Sequence, residues 1–515
     1  MILTGEDMTQ TAQESSAVHE TNTVLAPIAE SKRIDALDIL RGLALIGILL
    51  MNIEWFNRPI ANLIGFDHSL TGTDHAAGWL IRCFVEGKFY KLFALLFGMG
   101  FAVMLLRARE VGRPFGAWFT RRMIALWVLG IAHMIFLWGG DILHDYALAG
   151  LMLLLWVYLL QKPRFQKYDN PRSYLKLSLI WLFIPVFFST IAGIGAGVFI
   201  DHQQANTNWE DEQATAAIVA QRLKAPAEPL ALIVNNNEVS NKAESVEGVV
   251  TNANEEASNV LTGTNEKSDA SRADIDPQEQ TIVELVKQKR EAKERELKEI
   301  EAFTQGDYWQ ATAYRLEFLA FMLPISPMFA FMMLIPIFIL GFWFVASKRI
   351  VNYQAHIGMY KVMMRVGLPL GIFLNVAGLL LLQLPFAKVS AVIAAVGEMI
   401  FFVGQYVLTA GYLGLIICLL TNEKWHRRLA TFAPMGKMAL TNYLMHSAIL
   451  TTLFYGYAGG QFGQISRGPQ VLIVIAIIVF QVLFSRWWLS KYRFGPLEWL
   501  WRSITYKKWQ AMRLA

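Results

Sequence analysis

The sequence predicts an all-α polytopic membrane protein of about ten transmembrane helices, with both termini in the cytosol and one long extracytoplasmic loop. Three observations lead there. Over 515 residues, 55% are hydrophobic, including 33 Phe, 16 Trp and 20 Met, which is more than a soluble globule of this length can bury. The apolar residues fall in separate runs, each near the about 20 residues that a helix needs to cross the hydrocarbon. Lys and Arg gather in alternate connections, the bias that marks cytosolic loops.

The first run, Arg33 to Trp55, begins RIDALDILRG and holds Asp38, Arg41 and Asn52. At 100° per residue, the step from Arg41 to Asn52 is about three full turns, so both share one face roughly 16 Å apart. Charges within a span usually face the bundle interior and mark a pathway or site. Asp38 and Arg41 also fit an interfacial anchor, and Asn52 fits interhelical bonding. Nine further runs follow, at about 79–106, 117–138, 144–160, 174–200, 319–346, 360–384, 389–420, 434–457 and 470–490. The connection after the second run carries Arg107, Arg109, Arg113, Arg121 and Arg122, and the C-terminal segment is equally basic. The alternate short connections carry about one basic residue each or none, which sets the orientation.

The domain reading follows from these runs. Residues 1–31, without Lys, Arg or an apolar core, form a disordered cytosolic tail and not a cleavable signal. Residues 32–200 make an N-terminal bundle of five helices and 319–515 a C-terminal bundle of five. Between them, 201–318 is the extracytoplasmic loop. It is disordered to about Asp274 by composition, then a charged, solvated helix over about 277–303, with Arg315 at headgroup level. The net charge of +5 does not imply nucleic acid, because the basic residues sit in the loops of one side. Cys83 and Cys418 both lie in apolar runs and offer neither a disulfide framework nor metal spacing.

Four places can carry chemistry. The second run has Arg82, Glu86, Lys88 and Lys91, which make either a site or an ion-pair network between helices. The hairpin WGGDILHDYALAG places Asp141, His144 and Asp145 at i, i+3 and i+4. That arrangement suits a general base, a partial metal site, or an Asp cap on the next helix. The ninth run has Asn442 and His446 one turn apart, with Thr441 and Ser447, where interhelical hydrogen bonding is the default. The outer connection before the second run holds His68, Asp74 and His75, which read as solvated loop residues unless recruited. No complete metal site is expected.

Taken together, RIDALDILRGLALIGILLMNI, EGKFYKLFALLFGMGF, GGDILHDYALAG, MGKMALTNYLMHS and FGPLEWLWRSITY resemble the YeiB family of bacterial inner-membrane proteins, whose C-terminal half is a domain of unknown function. That family is similar to the transmembrane acyltransferases, among them the lysosomal heparan-glucosaminide N-acetyltransferase and the bacterial glycan O-acetylases. The resemblance implies transfer of an acyl (acetyl) group from cytosolic acyl-CoA to an extracytoplasmic glycan or similar acceptor, at a multi-pass bacterial inner-membrane protein. The O-acetylases have a basic residue, ten residues and then His in the first span; here Arg41 matches and Asn52 stands in place of His. The heparan enzyme has Arg-Gly and then Asn in that span, with its catalytic His in the next non-cytosolic segment, where His75 is nearest by position. His446 stands where many relatives have Gln, which argues against catalysis there. On this reading His75 or His144 is the general base and Asn52 an oxyanion donor. Arg41, Arg107, Arg109, Arg113, Arg121 and Arg122 hold the CoA phosphates, although topological anchoring alone also produces such a cluster. The partners are the bilayer and a glycan acceptor, and a homodimer is open. A transporter using Asp38, Arg41, Glu86 and Lys88, or a scaffold acting through the long loop, are the alternatives.

Overall fold

A computed structural model of the chain describes residues 34–60, 71–199, 277–384 and 390–514. The expected tail over 1–31, the loop to Asp274 and His68 lie outside the described residues. Among the described residues the chain is helical, with one isolated bridge between Tyr492 and Arg513. Nine of these helices are long and apolar enough to span a membrane. The protein is an all-α polytopic membrane protein.

In chain order the helices are α1 (Asp35–Asn57), α2 (Gly72–Phe84), α3 (Phe89–Glu110), α4 (Gly116–Phe136), α5 (Leu143–Leu160), α6 (Pro171–Phe199), α7 (Pro277–Thr304) and α8 (Tyr308–Met322). They continue with α9 (Ser326–Ala346), α10 (Ile357–Gln383), α11 (Ala391–Leu420), α12 (Glu423–Leu429), α13 (Ala433–Lys437), α14 (Ala439–Phe454), α15 (Arg467–Leu489) and α16 (Pro496–Tyr506). One compact unit takes the residues up to Phe188, Lys298–Leu379 and those from Glu398 on. A second takes Ser189–Leu297 and Leu380–Gly397, and in it Gly193 lies against Ala395.

Three of the expected spans differ from single straight helices, and each for a local reason. The second breaks between α2 and α3, where Gly87 takes φ +78° and a Cβ would strike the Gln405 side chain. In hydrocarbon the freed backbone groups need partners. The Tyr412 hydroxyl donates to Phe84 O at 2.8 Å and Lys88 Nζ to Arg82 O at 2.8 Å. Thr409 shares its hydroxyl between Gln405 O at 2.7 Å and Lys88 O at 3.3 Å. The sixth span starts late, because Pro324 and Pro327 lack the N–H groups that would join α8 to α9. Inside α9 the stretch Ala330–Leu334 is a π turn, which opens the ladder just before Pro336. The ninth run divides at Met438 into α13 and the 16-residue α14, too short to count among the spans.

Backbones meet closely where glycine permits it. A Cβ on Gly436 would run into Asp38 O, and one on Gly42 into Phe432 O, so α1 packs backbone to backbone on α13 and the turn before it. Gly98 of α3 and Gly341 of α9 do the same for their pair. The end of α7 departs from a solvated helix: Glu299 is 3% exposed, accepts the Ile60 N–H at 3.2 Å and the Tyr314 hydroxyl at 3.1 Å, and Phe303 stacks on Tyr455 at 4.2 Å. Arg315 is likewise not at headgroup level. It is 0% exposed, and it donates to Ile135 O at 2.8 Å and Leu137 O at 3.3 Å, neutralising the carbonyl end of α4.

Candidate functional site

A cavity of about 700 Å³ opens between α1, α3, α4, α5, α9, α14 and α16. Its wall follows α1 from Ile34 to Trp55, roughly 30 Å at 1.5 Å per residue. Arg41 and Asn52 both face it, as the three-turn step between them requires. Its middle is apolar, lined by Phe89, Phe93, Leu96 and Phe97.

One end is basic. Arg41, Arg107, Arg122, Lys437 and Arg502 line it, against the carboxylates of Asp38 and Glu498. Arg41 pairs with Asp38 at 2.6 Å. Glu498 is occupied by the start of α14, accepting from Leu440 N at 2.7 Å, Thr441 N at 3.0 Å and Thr441 Oγ1 at 2.5 Å. Burial pushes its carboxyl above the usual range, with those bonds opposing. Arg122 lies over the Trp501 ring at 3.5 Å, and Trp501 Nε1 donates to Arg122 O at 2.7 Å. The buried Arg122 Nε has no hydrogen-bond partner. A stacked, incompletely bonded guanidinium beside four other cationic side chains is suited to an anionic ligand.

The other end is the hairpin between α4 and α5. Asp141 Oδ1 lies 2.9 Å from His133 Nδ1, and Asp141 Oδ2 lies 3.2 Å from His144 Nδ1 and accepts the His144 backbone N–H at 3.1 Å. The capping and the histidine-orienting readings of Asp141 therefore hold together. His144 Nε2 lies 2.8 Å from Ser326 Oγ at the start of α9, and His133 Nε2 lies 2.7 Å from Ser447 Oγ on α14. An ionised carboxylate only accepts, so each Nδ1 carries a proton, and a ring in its neutral form then presents Nε2 as acceptor to a serine hydroxyl. Burial alone would raise the Asp141 carboxyl, but its bonds to His133 and His144 prevail and hold it below the usual carboxylate range. Asp145 Oδ1 sits 3.4 Å from His144 Nε2 and makes no hydrogen bond. Asp141, His144, Asp145 and Ser326 all line the cavity.

The expected site residues thus divide. Asn52, His144, Asp141, Asp38, Arg41, Arg107 and Arg122 share one cavity. His75 does not reach it: it lies on the first turn of α2, where the neighbouring Asp74 accepts Gly468 N at 3.0 Å from α15. Arg109 is in the last turn of α3 and Arg113 in the turn that follows, both off the wall, and Arg121 is one residue round α4 from Arg122 and reaches Thr505 O at 3.4 Å. Glu86 meets Arg82 at 3.5 Å, and Lys91 Nζ donates to Gln405 Oε1, all outside the cavity lining. Asn442 and His446 bond α14 to α15: Asn442 Nδ2 to Ser485 Oγ at 3.0 Å and His446 Nε2 to Gln481 Oε1 at 2.8 Å. That is the interhelical role expected by default.

Sequence reasoning missed His133 and Ser326. His133 was the lone ionisable side chain in the outer half of an apolar run, which is a usable signal. Ser326 sits in the Pro-Ile-Ser-Pro break, and a break in a predicted span marks backbone that lines a cavity. Among the described residues no cluster of His, Cys, Asp and Glu is arranged to hold a metal ion.

A multi-pass helical bundle built around one elongated polar-ended cavity is the class that this geometry defines. Residues 344–508 match the family described as "Protein of unknown function (DUF418)". The chain is 28% identical over 496 residues to "Uncharacterized protein YxaH" of Bacillus subtilis, covering 94% of this chain and 97% of that one. It is 24% identical over 490 residues to "Uncharacterized protein YeiB" of Escherichia coli, covering 91% and 95%. The chain is a YeiB-family membrane protein. No solved structure matches it.

Proposed function

We propose that this protein is an acyl-CoA-dependent transmembrane acyltransferase of a bacterial inner membrane. It moves an acyl group, acetyl in the simplest case, from cytosolic acyl-CoA to a glycan or similar acceptor on the far side. The observation that carries this reading is the single cavity with clustered guanidinium groups at one end and a carboxylate-oriented histidine at the other. The basic end faces the cytosol by the distribution of Lys and Arg. Arg41, Arg107, Arg122 and Arg502 take the phosphates of CoA, and the apolar middle takes the pantetheine arm. The thioester then lies toward the hairpin. There the neutral His144 Nε2 accepts a proton, and Asn52 donates to the oxyanion. The proton gained by Nε2 would sit 3.4 Å from the Asp145 carboxylate, which stabilises the imidazolium.

Titration calorimetry of the purified protein with acetyl-CoA tests this. Binding should weaken with rising salt and by about tenfold in Arg122→Ala, the loss of one charge-assisted contact. Folded protein that binds no acyl-CoA of any chain length would refute the proposal. It would favour a transporter, for which the charged break between α2 and α3 would then be the place to look.

A further inference from the structure

We infer that Ser326 is the nucleophile that carries the acyl group between donor and acceptor, so that transfer runs through an acyl-serine. This rests on the acyltransferase reading and goes beyond it, since direct transfer needs His144 but no serine. Ser326 Oγ is 2.8 Å from His144 Nε2, whose Nδ1 is 3.2 Å from Asp141 Oδ2. Nucleophile, base and orienting carboxylate are thereby in hydrogen-bond sequence, the geometry by which a serine is activated irrespective of fold. All three line the cavity. Ser326 is 5% exposed, and its hydroxyl also lies beside the Asp145 carboxyl and 3.3 Å from Met322 O.

The backbone around Ser326 is built for this. The Pro324 and Pro327 break presents Ser326 at the start of α9 rather than mid-helix, and the π turn at Ala330–Leu334 follows within two turns. Asp141 is held from its other side by His133 at 2.9 Å, which itself meets Ser447 at 2.7 Å. That second arm does not line the cavity and positions the carboxylate.

The steps balance. Ser326 Oγ bonds to the thioester carbon as its proton passes to His144 Nε2; the C–S bond breaks and the CoA sulfur takes that proton, leaving acyl-Ser326 and free CoA. An acceptor hydroxyl then gives its proton to Nε2 and bonds to the acyl carbon. Ser326 Oγ leaves and recovers the proton.

The test uses the full-length protein in lipid nanodiscs with acetyl-, butyryl- and octanoyl-CoA carrying a labelled acyl group. CoA release is followed in the first turnover, and acid-quenched protein is mapped by mass spectrometry. The expected result is label on Ser326 with a burst of about one CoA per chain. Ser326→Ala should lose both and at least about 10²-fold in turnover, with its melting temperature unchanged. Ser326→Cys should recover the adduct as a thioester that neutral hydroxylamine removes. If Ser326→Ala keeps wild-type turnover and no acyl-protein forms, the nucleophile is overturned while the acyltransferase stands, with transfer direct. If the wild type neither binds nor cleaves any of the acyl-CoAs, the parent reading falls and Ser326 with it.

Discussion

Two of the buried polar clusters in this bundle have opposite fates. At the break between α2 and α3, Lys88 and Lys91 are 0% and 1% exposed, yet their ammonium groups are used up inside the protein. Lys88 caps Arg82 O and lies over Phe401 at 4.7 Å; Lys91 bonds Gln405 and lies over Phe402 and Tyr406, each at 4.6 Å. At the α4–α5 hairpin, the carboxylate is equally enclosed by His133 and His144, but the chain of bonds ends at Ser326 on a cavity wall. Intramembrane charge alone therefore does not distinguish a site from a strut. The distinction lies in whether the last group of the network faces open space.

The largest effect expected from that contrast is on turnover. His144→Ala removes the proton acceptor, and Asp141→Asn turns an acceptor-only group into one that can donate, which allows the wrong tautomer of both histidines. Each should cost about 10² to 10⁴-fold in acyl transfer, measured on protein whose melting temperature and detergent-size profile match the wild type. Transfer retained in both would dissolve the comparison, leaving the hairpin as much a strut as the break.

At the break the expected loss is in stability instead. Gln405→Leu leaves the Lys91 ammonium without its hydrogen-bond partner, at a cost of about 2–3 kcal/mol. Lys91→Met removes the buried charge but strands the Gln405 carbonyl oxygen, so it should cost about 1 kcal/mol, less than Gln405→Leu, which leaves a charge unpaired. Thermal melts of both variants, read against turnover of the folded fraction, check this. A Lys91→Met protein that is stable but inactive would move the chemistry to the break.

These outcomes bear on how far the sequence could be read. The helical class and most spans follow from apolar runs, and Arg41 and Asn52 were placed on one face by periodicity alone, as the cavity wall has them. The pairs Asp38 with Arg41 and Arg82 with Glu86 were legible because their partners are only three or four residues apart, the first on one helix and the second across the break after α2. Ser326 and Ser447 were not legible as partners of the histidines. The bond from His144 to Ser326 spans 182 residues and that from His133 to Ser447 spans 314, and no local rule brings such segments together. Arg121 and Arg122 illustrate the same limit at the basic end: adjacent in sequence, they point about 100° apart, and only α16 packing decides that Arg122 meets Trp501 over the cavity.

A smaller effect sharpens the comparison at that basic end. Trp501→Leu removes the ring beneath Arg122 but keeps the guanidinium, so acyl-CoA affinity should fall by only about threefold to fivefold, near the worth of one cation–π contact of about 0.5–1 kcal/mol. Arg122→Ala, which removes the charge itself, should cost more. Calorimetry on the two variants orders them; the reverse order would mean that the stack, rather than the charge, makes the mouth.

The smallest effect belongs to the polar seam between α14 and α15, which is as buried as the hairpin but lies off the wall of this cavity. His446 Nε2 meets Gln481 Oε1 at 2.8 Å, Gln481 Nε2 donates to Asn442 O at 2.9 Å, and Asn442 Nδ2 reaches Ser485 Oγ at 3.0 Å. His446 Nδ1 has no partner at all, so His446→Gln gives up no second bond and can keep the first through its own amide. Single interhelical hydrogen bonds within membranes contribute about 0.6 kcal/mol on average, so this variant should melt within a degree or two of the wild type and transfer acyl groups at the wild-type rate. His446→Leu, which also strands the Gln481 amide, should lose about 1 kcal/mol of stability and still leave turnover of the folded protein intact. A fall in turnover in His446→Gln without a fall in stability would mean that the seam conducts strain or protons to the hairpin, and the division between networks that end at the cavity and networks that do not would no longer hold.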